Sequence, residues 1–128
     1  MCWINTISIP LVLKNPLKVY KTGTSTILGD FISLYQNTMY HKYMTMPTVK
    51  INPELVRCTP TVILDELWQY DLFHISEGYH SYLTEEMAEC RKDNNEIGIF
   101  EIPAGATIYV DFRHREVVST DIKYLGLL

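Results

Sequence analysis

His74, Glu77 and His80 lie within seven residues of one another and carry the side chains that hold zinc and its neighbours. On a continuous strand the two histidines share a face but stand about 20 Å apart at roughly 3.3 Å per residue, and on a helix they point to different faces. Only a sharp bend at Gly78 would bring them to one ion. The expectation is therefore a pair of strand-end histidines bonded to backbone or water, and no metal. Cys2, Cys58 and Cys90 share no short spacing, which argues against both a disulfide framework and a zinc knuckle. Cys2 would be a nucleophile only if Met1 were removed, with the freed α-amine as base. Cys58 and Cys90 read as small buried thiols. Lys92, Arg113, His114, Arg115 and Lys123 are the cations able to form a small patch for a phosphate or an acidic protein surface, a solvated turn being the plainer reading. Nine tyrosines offer a stacking platform for nucleotides. Without a wider basic frame, they more often bridge core and rim or serve protein contacts.

These side chains need elements to position them. Residues 3–13 are rich in β-branched and apolar types interrupted by Pro10, which predicts an edge strand or two short extended pieces. Leu17 to Lys21 alternates as a strand, and Thr22-Gly-Thr-Ser-Thr26 reads as the turn that closes it. No period persists from Ile27 to Pro53, predicting a covering loop with a short helix near Leu28–Tyr35. Pro60 opens a helical spacing of Ile63, Leu64, Leu67 and Trp68. Leu72–Ile75 and Gly78–Tyr82 read as extended, with the bend at Gly78. Thr84 to Lys92 places a hydroxyl cap first, acids in the first turn and bases in the last, as the helix dipole prefers. Ile97–Ile102, a turn at Pro103-Ala-Gly105, Thr107–Phe112, Val117–Ser119 and Ile122–Leu125 complete a set of short strands. The predicted fold is α+β: one domain over residues 1–128, a mostly antiparallel sheet with one or two packed helices.

Composition bounds the function. The 128 residues suffice for one core burying roughly two-thirds of its unfolded surface. Apolar residues at 47% and charged ones at 20% exclude disorder as the main state. A formal charge of −4 recruits neither phosphate backbones nor anionic lipid, so no general nucleic-acid affinity and no membrane partner are expected. Trp3 to Leu13 lacks the basic flank of a signal peptide and is far short of a membrane span. A cytoplasmic, reducing setting is the expectation.

Gly78-Tyr-His-Ser-Tyr82, a helix carrying Ala88, and Ile102-Pro-Ala-Gly-Ala-Thr-Ile-Tyr-Val110 together resemble the ADP-ribosyltransferase-like superfamily. Residues Gly105 to Leu125 are similar to the closing hairpin of tRNA 2′-phosphotransferases. About half the chain takes part. The resemblance implies an NAD cleft in which Lys21, Ser81 and Glu101, or Glu116 in its place, would do the chemistry. Tyr79, His80, Tyr82, Arg113 and Arg115 would line the ligand. The chain departs from that pattern in two places: Lys21 stands where such enzymes carry Arg or His, losing the planar fork, and Ile99 stands near where they carry the glutamate before the Pro-x-Gly turn, with Glu96 too early and Glu101 facing differently. The same stretch is also similar to small phage and mobile-element proteins with a Gly-aromatic-His motif.

The expectation that follows is a non-catalytic binding protein of the phage or mobile-element type, working through a protein partner such as a host factor and needing no cofactor. Its surface should include a tyrosine-rich apolar patch over residues 35–46. The alternatives are an NAD-dependent ADP-ribosyltransferase-like enzyme and a nucleotide-sequestering protein that keeps the cleft without the chemistry.

Overall fold

The computed structural model describes residues 4–6, 10–34, 37–57, 71–75, 77–111 and 115–128. The helix expected after Pro60 lies outside them, as do Cys2, Cys58, Arg113 and His114. Twelve strands and one helix are assigned among the described residues. They run β1 (Ile4–Thr6), β2 (Leu11–Val12), β3 (Leu17–Ser25), β4 (Phe31–Ser33), β5 (Met39–Tyr40), β6 (Glu54–Arg57), β7 (Asp71–Ile75), β8 (Tyr79–Tyr82), α1 (Glu85–Arg91), β9 (Glu96–Ile102), β10 (Thr107–Asp111), β11 (Glu116–Ser119) and β12 (Lys123–Leu127). They form two antiparallel sheets. The larger follows the order β12-β9-β3-β8-β11-β10-β2, with β4 beside β3 and β5 beside β4; the smaller is β1-β7-β6. The described residues are thus mostly antiparallel sheet with one short helix. No helix among the described residues is long and apolar enough to cross a membrane.

The helix begins where its sequence requires. Thr84 is extended, and its hydroxyl accepts from the Met87 amide at 3.3 Å; Glu85 and Glu86 occupy the first turn and Arg91 the last. Ala88 is its buried residue. The β9–β10 turn closes with the Ala106 amide donating to the Pro103 carbonyl, and Gly105 takes a φ of 90°.

Strand β3 is longer than its composition predicts. Thr22 to Ser25 continue the strand, because Thr22 and Gly23 pair with Ile97 and Glu96 of β9, while Gly23 to Ser25 pair with β4 on the other edge. Two ladders outweigh local turn preference. Phe31–Ser33 is correspondingly a strand where a helix was expected, with Phe31 and Ser33 buried. Gly23 is required by close approach: a Cβ there would stand 2.1 Å from the Ile32 carbonyl oxygen.

Beyond β5 the chain runs along β12, with the amides of Tyr43, Met46 and Val49 donating to the carbonyls of Tyr124, Ile122 and Thr120. This strip links β5 back to β12, so β3, β4, β5, the strip, β12 and β9 wrap an aromatic core. Phe100 sits at its centre, with ring centroids 5.5 Å from Phe31, 5.0 Å from Tyr40 and 5.0 Å from Tyr124. Each such contact adds about 1 kcal/mol to simple area burial. Tyr40 is therefore interior, which removes it from the expected tyrosine patch; Tyr43 is exposed. On the reverse face of the sheet a smaller cluster joins Ile75, Tyr109 and Val118.

Candidate functional site

Strand alternation assigns each candidate to a face. Val19 and Phe100 oppose one another in the main core, so Lys21, two residues on and opposite Gly98, points to the same side. Val117 belongs to that core and opposes Ser81, which places Ser81 and Tyr79 there too. The structure thus brings Lys21, Tyr79 and Ser81 onto one buried face.

The geometry at Lys21 follows from a fork. β3 meets β8 only at Tyr20–Tyr82 before turning to pair with β4. One step past that pair, the Lys21 amine donates to the carbonyl of His80. Its nitrogen lies 5.4 Å from the Tyr40 ring centroid and 5.9 Å from that of Phe100, two faces that stabilise an ammonium. Lys21 is 3% exposed, and burial pushes its amine down to about 7. Burial, with Tyr79 nearby, raises the Tyr40 phenol far above its ordinary value. The Ser81 hydroxyl, 4% exposed, makes no hydrogen bond among the described residues. Tyr79 donates its hydroxyl to the Pro47 carbonyl at 2.5 Å, fastening the strip over this face.

The remaining candidates lie elsewhere. Glu101 opposes Lys18 and Lys123, one residue out of phase with Phe100, and so faces away from Ser81. Glu116 opposes Tyr82 and Asp111 on that same reverse side, as does His80 opposite Val118. Burial and the Glu116 carboxylate raise the Tyr82 phenol. Neither glutamate shares the face of Lys21 and Ser81. Arg115 is exposed in the β10–β11 turn with a φ of 51°. Lys123 lies on β12, opposite Glu101. Lys92 contacts Glu89 at 3.5 Å. Arg113 and His114, the other members of the expected basic patch, lie outside the described residues. Glu77 accepts from the Asn52 amide at 3.3 Å, and no metal-holding group of three ligands occurs among the described residues. Cys90 is exposed, where a buried thiol was expected, because it lies on the outer side of a short helix whose buried residue is Ala88.

Tyr40 and Phe100, the aromatic walls around Lys21, were not singled out as candidates. Phe100 was legible from alternation with Gly98 and Ile102. Tyr40 carried no signal, because its strand has two residues. A buried amine that is about half neutral near pH 7 can act as base or nucleophile, and a hydroxyl on the same face can be its partner. Both are closed off from solvent. Comparison with known proteins finds no matching family model, no matching curated protein and no matching solved structure.

Proposed function

We propose that the chain is a non-catalytic binding protein of the phage or mobile-element type, working in the cytoplasm by engaging a protein partner such as a host factor. One observation carries this reading, an inversion of the usual burial. Lys21 and Ser81, the side chains best suited to chemistry, are interior, while Ile27, Leu28, Leu34, Met39, Tyr43 and Met44 are exposed within eighteen residues. Apolar surface concentrated in one stretch is what a protein partner covers.

The NAD-linked transferase, or a protein that sequesters a nucleotide, is the second reading. It is favoured by Lys21, Tyr79 and Ser81 sharing a face. A ligand bound only by the folded state raises the melting point, so millimolar NAD, ADP-ribose or a cyclic nucleotide separates the two. The binding reading expects an unchanged midpoint with each. A rise of several degrees with any of them overturns it, and loss of NAD consumption in Ser81→Ala would then identify an enzyme.

A further inference from the structure

Among the large apolar side chains of the described residues, Ile27 at 104% and Leu28 at 88% are the most exposed. They occupy the β3–β4 turn, which is braced from several sides. The Gly29 amide donates to the Thr26 carbonyl at 3.0 Å, the Thr26 amide to the Asp30 carbonyl at 2.8 Å, and the Asp30 amide to the Thr26 hydroxyl at 3.1 Å. Gly29 supplies the φ of 90° that the turn needs. Nothing lies within 4 Å of the place a Cβ would take there, so the turn projects into open space. Two flanking contacts tie its base: His41 Nδ1 to Asp30 at 3.0 Å, and the Ser25 amide and hydroxyl to Glu96 at 2.9 and 2.8 Å. Two carboxylates, Asp30 and Glu96, thus flank the base of the turn, and the Ser25 bonds hold the Glu96 carboxyl below its ordinary value.

We infer that the Ile27–Leu28 turn is a preformed plug that enters an apolar pocket, rimmed by basic side chains, on the protein partner; this rests on the binding reading above. Bracing means little backbone freedom is lost on docking, and the acids Asp30 and Glu96 match a basic rim while disfavouring an anionic lipid surface.

The test places a photoreactive amino acid at position 28, 44 or 12 in three separate proteins and irradiates each in its native host cell. The expected result is an adduct from position 28 to one protein, with the linked peptide mapping to an apolar pocket bordered by lysine or arginine. Introducing Ile27→Asp should also abolish any adduct formed from position 44. Adducts from position 44 or 12 without one from position 28 overturn the plug and leave the binding reading standing. No adduct from any position counts against both. Binding of the purified protein to neutral or anionic phospholipid vesicles, lost with Ile27→Asp, overturns the plug in favour of a membrane.

Discussion

Lys21 is the residue on which the competing accounts turn, and its pH dependence is readable. Its folded value of about 7 lies below the value near 10.5 of an unburied amine, so the unfolded chain holds the extra proton between those limits. Stability then rises with pH across that window, by about 1.4 kcal/mol per unit for a single proton. In Lys21→Met that slope is absent. Urea unfolding of both proteins between pH 6 and 9 measures it, and equal slopes would show that the amine is not desolvated. The difference between the two proteins also isolates the lysine from Tyr40 and Tyr79, whose raised phenols weaken the fold only as pH approaches their unfolded value of about 10. Ser81 carries a companion expectation. Removing an unbonded buried hydroxyl relieves its desolvation, so Ser81→Ala should raise stability by up to about 1 kcal/mol rather than lower it. Sequence alone named Lys21, Tyr79 and Ser81 together, on a resemblance. The same reading had Glu101 facing differently; which side chains Glu101 opposes was not legible, because that depends on a register set by pairing across 83 residues, from Lys18 to Glu101.

At the scale of elements, legibility followed how local the determinants are. Helix α1 was readable because Thr84, the first-turn acids and the last-turn Arg91 act within a few residues. Thr84→Ala should accordingly cost about 1 kcal/mol in urea unfolding, and no loss would mean the cap is idle. The carboxy-terminal strands β9 to β12 were readable from alternation and from the Pro103–Gly105 turn. The stretch from Thr22 to Tyr40 was not. Thr22 and Gly23 resemble turn chemistry, yet they are held extended by β9, distant in sequence, and β4 and β5 are too short to display a period. Gly23 marks this dependence. Gly23→Ala should destabilise the fold by about 3 kcal/mol, since the added methyl meets backbone rather than a movable side chain. A near-neutral result would show that β3 and β4 do not lie this close.

For the whole molecule, the account is that a sheet wrapped on an aromatic core encloses Lys21 and Ser81 while Ile27, Leu28, Leu34, Met39, Tyr43 and Met44 stay exposed, the surface proposed for a partner. The paired change Ile27→Asp and Leu28→Asp should leave stability within about 0.5 kcal/mol, because neither side chain supports the fold; a larger loss by thermal unfolding would mean the turn packs on something. The enclosure itself is tested most directly by brief labelling of the folded protein at pH 7 with an amine-acylating reagent, followed by mass spectrometry of each lysine. Lys14, Lys18 and Lys50 are exposed and should react readily, with Lys21 the slowest of the four. An amine lowered to about 7 by burial would, once reached by reagent, be the most nucleophilic of the set. Fast labelling of Lys21 would contradict the account and describe an open cleft with a reactive lysine inside it.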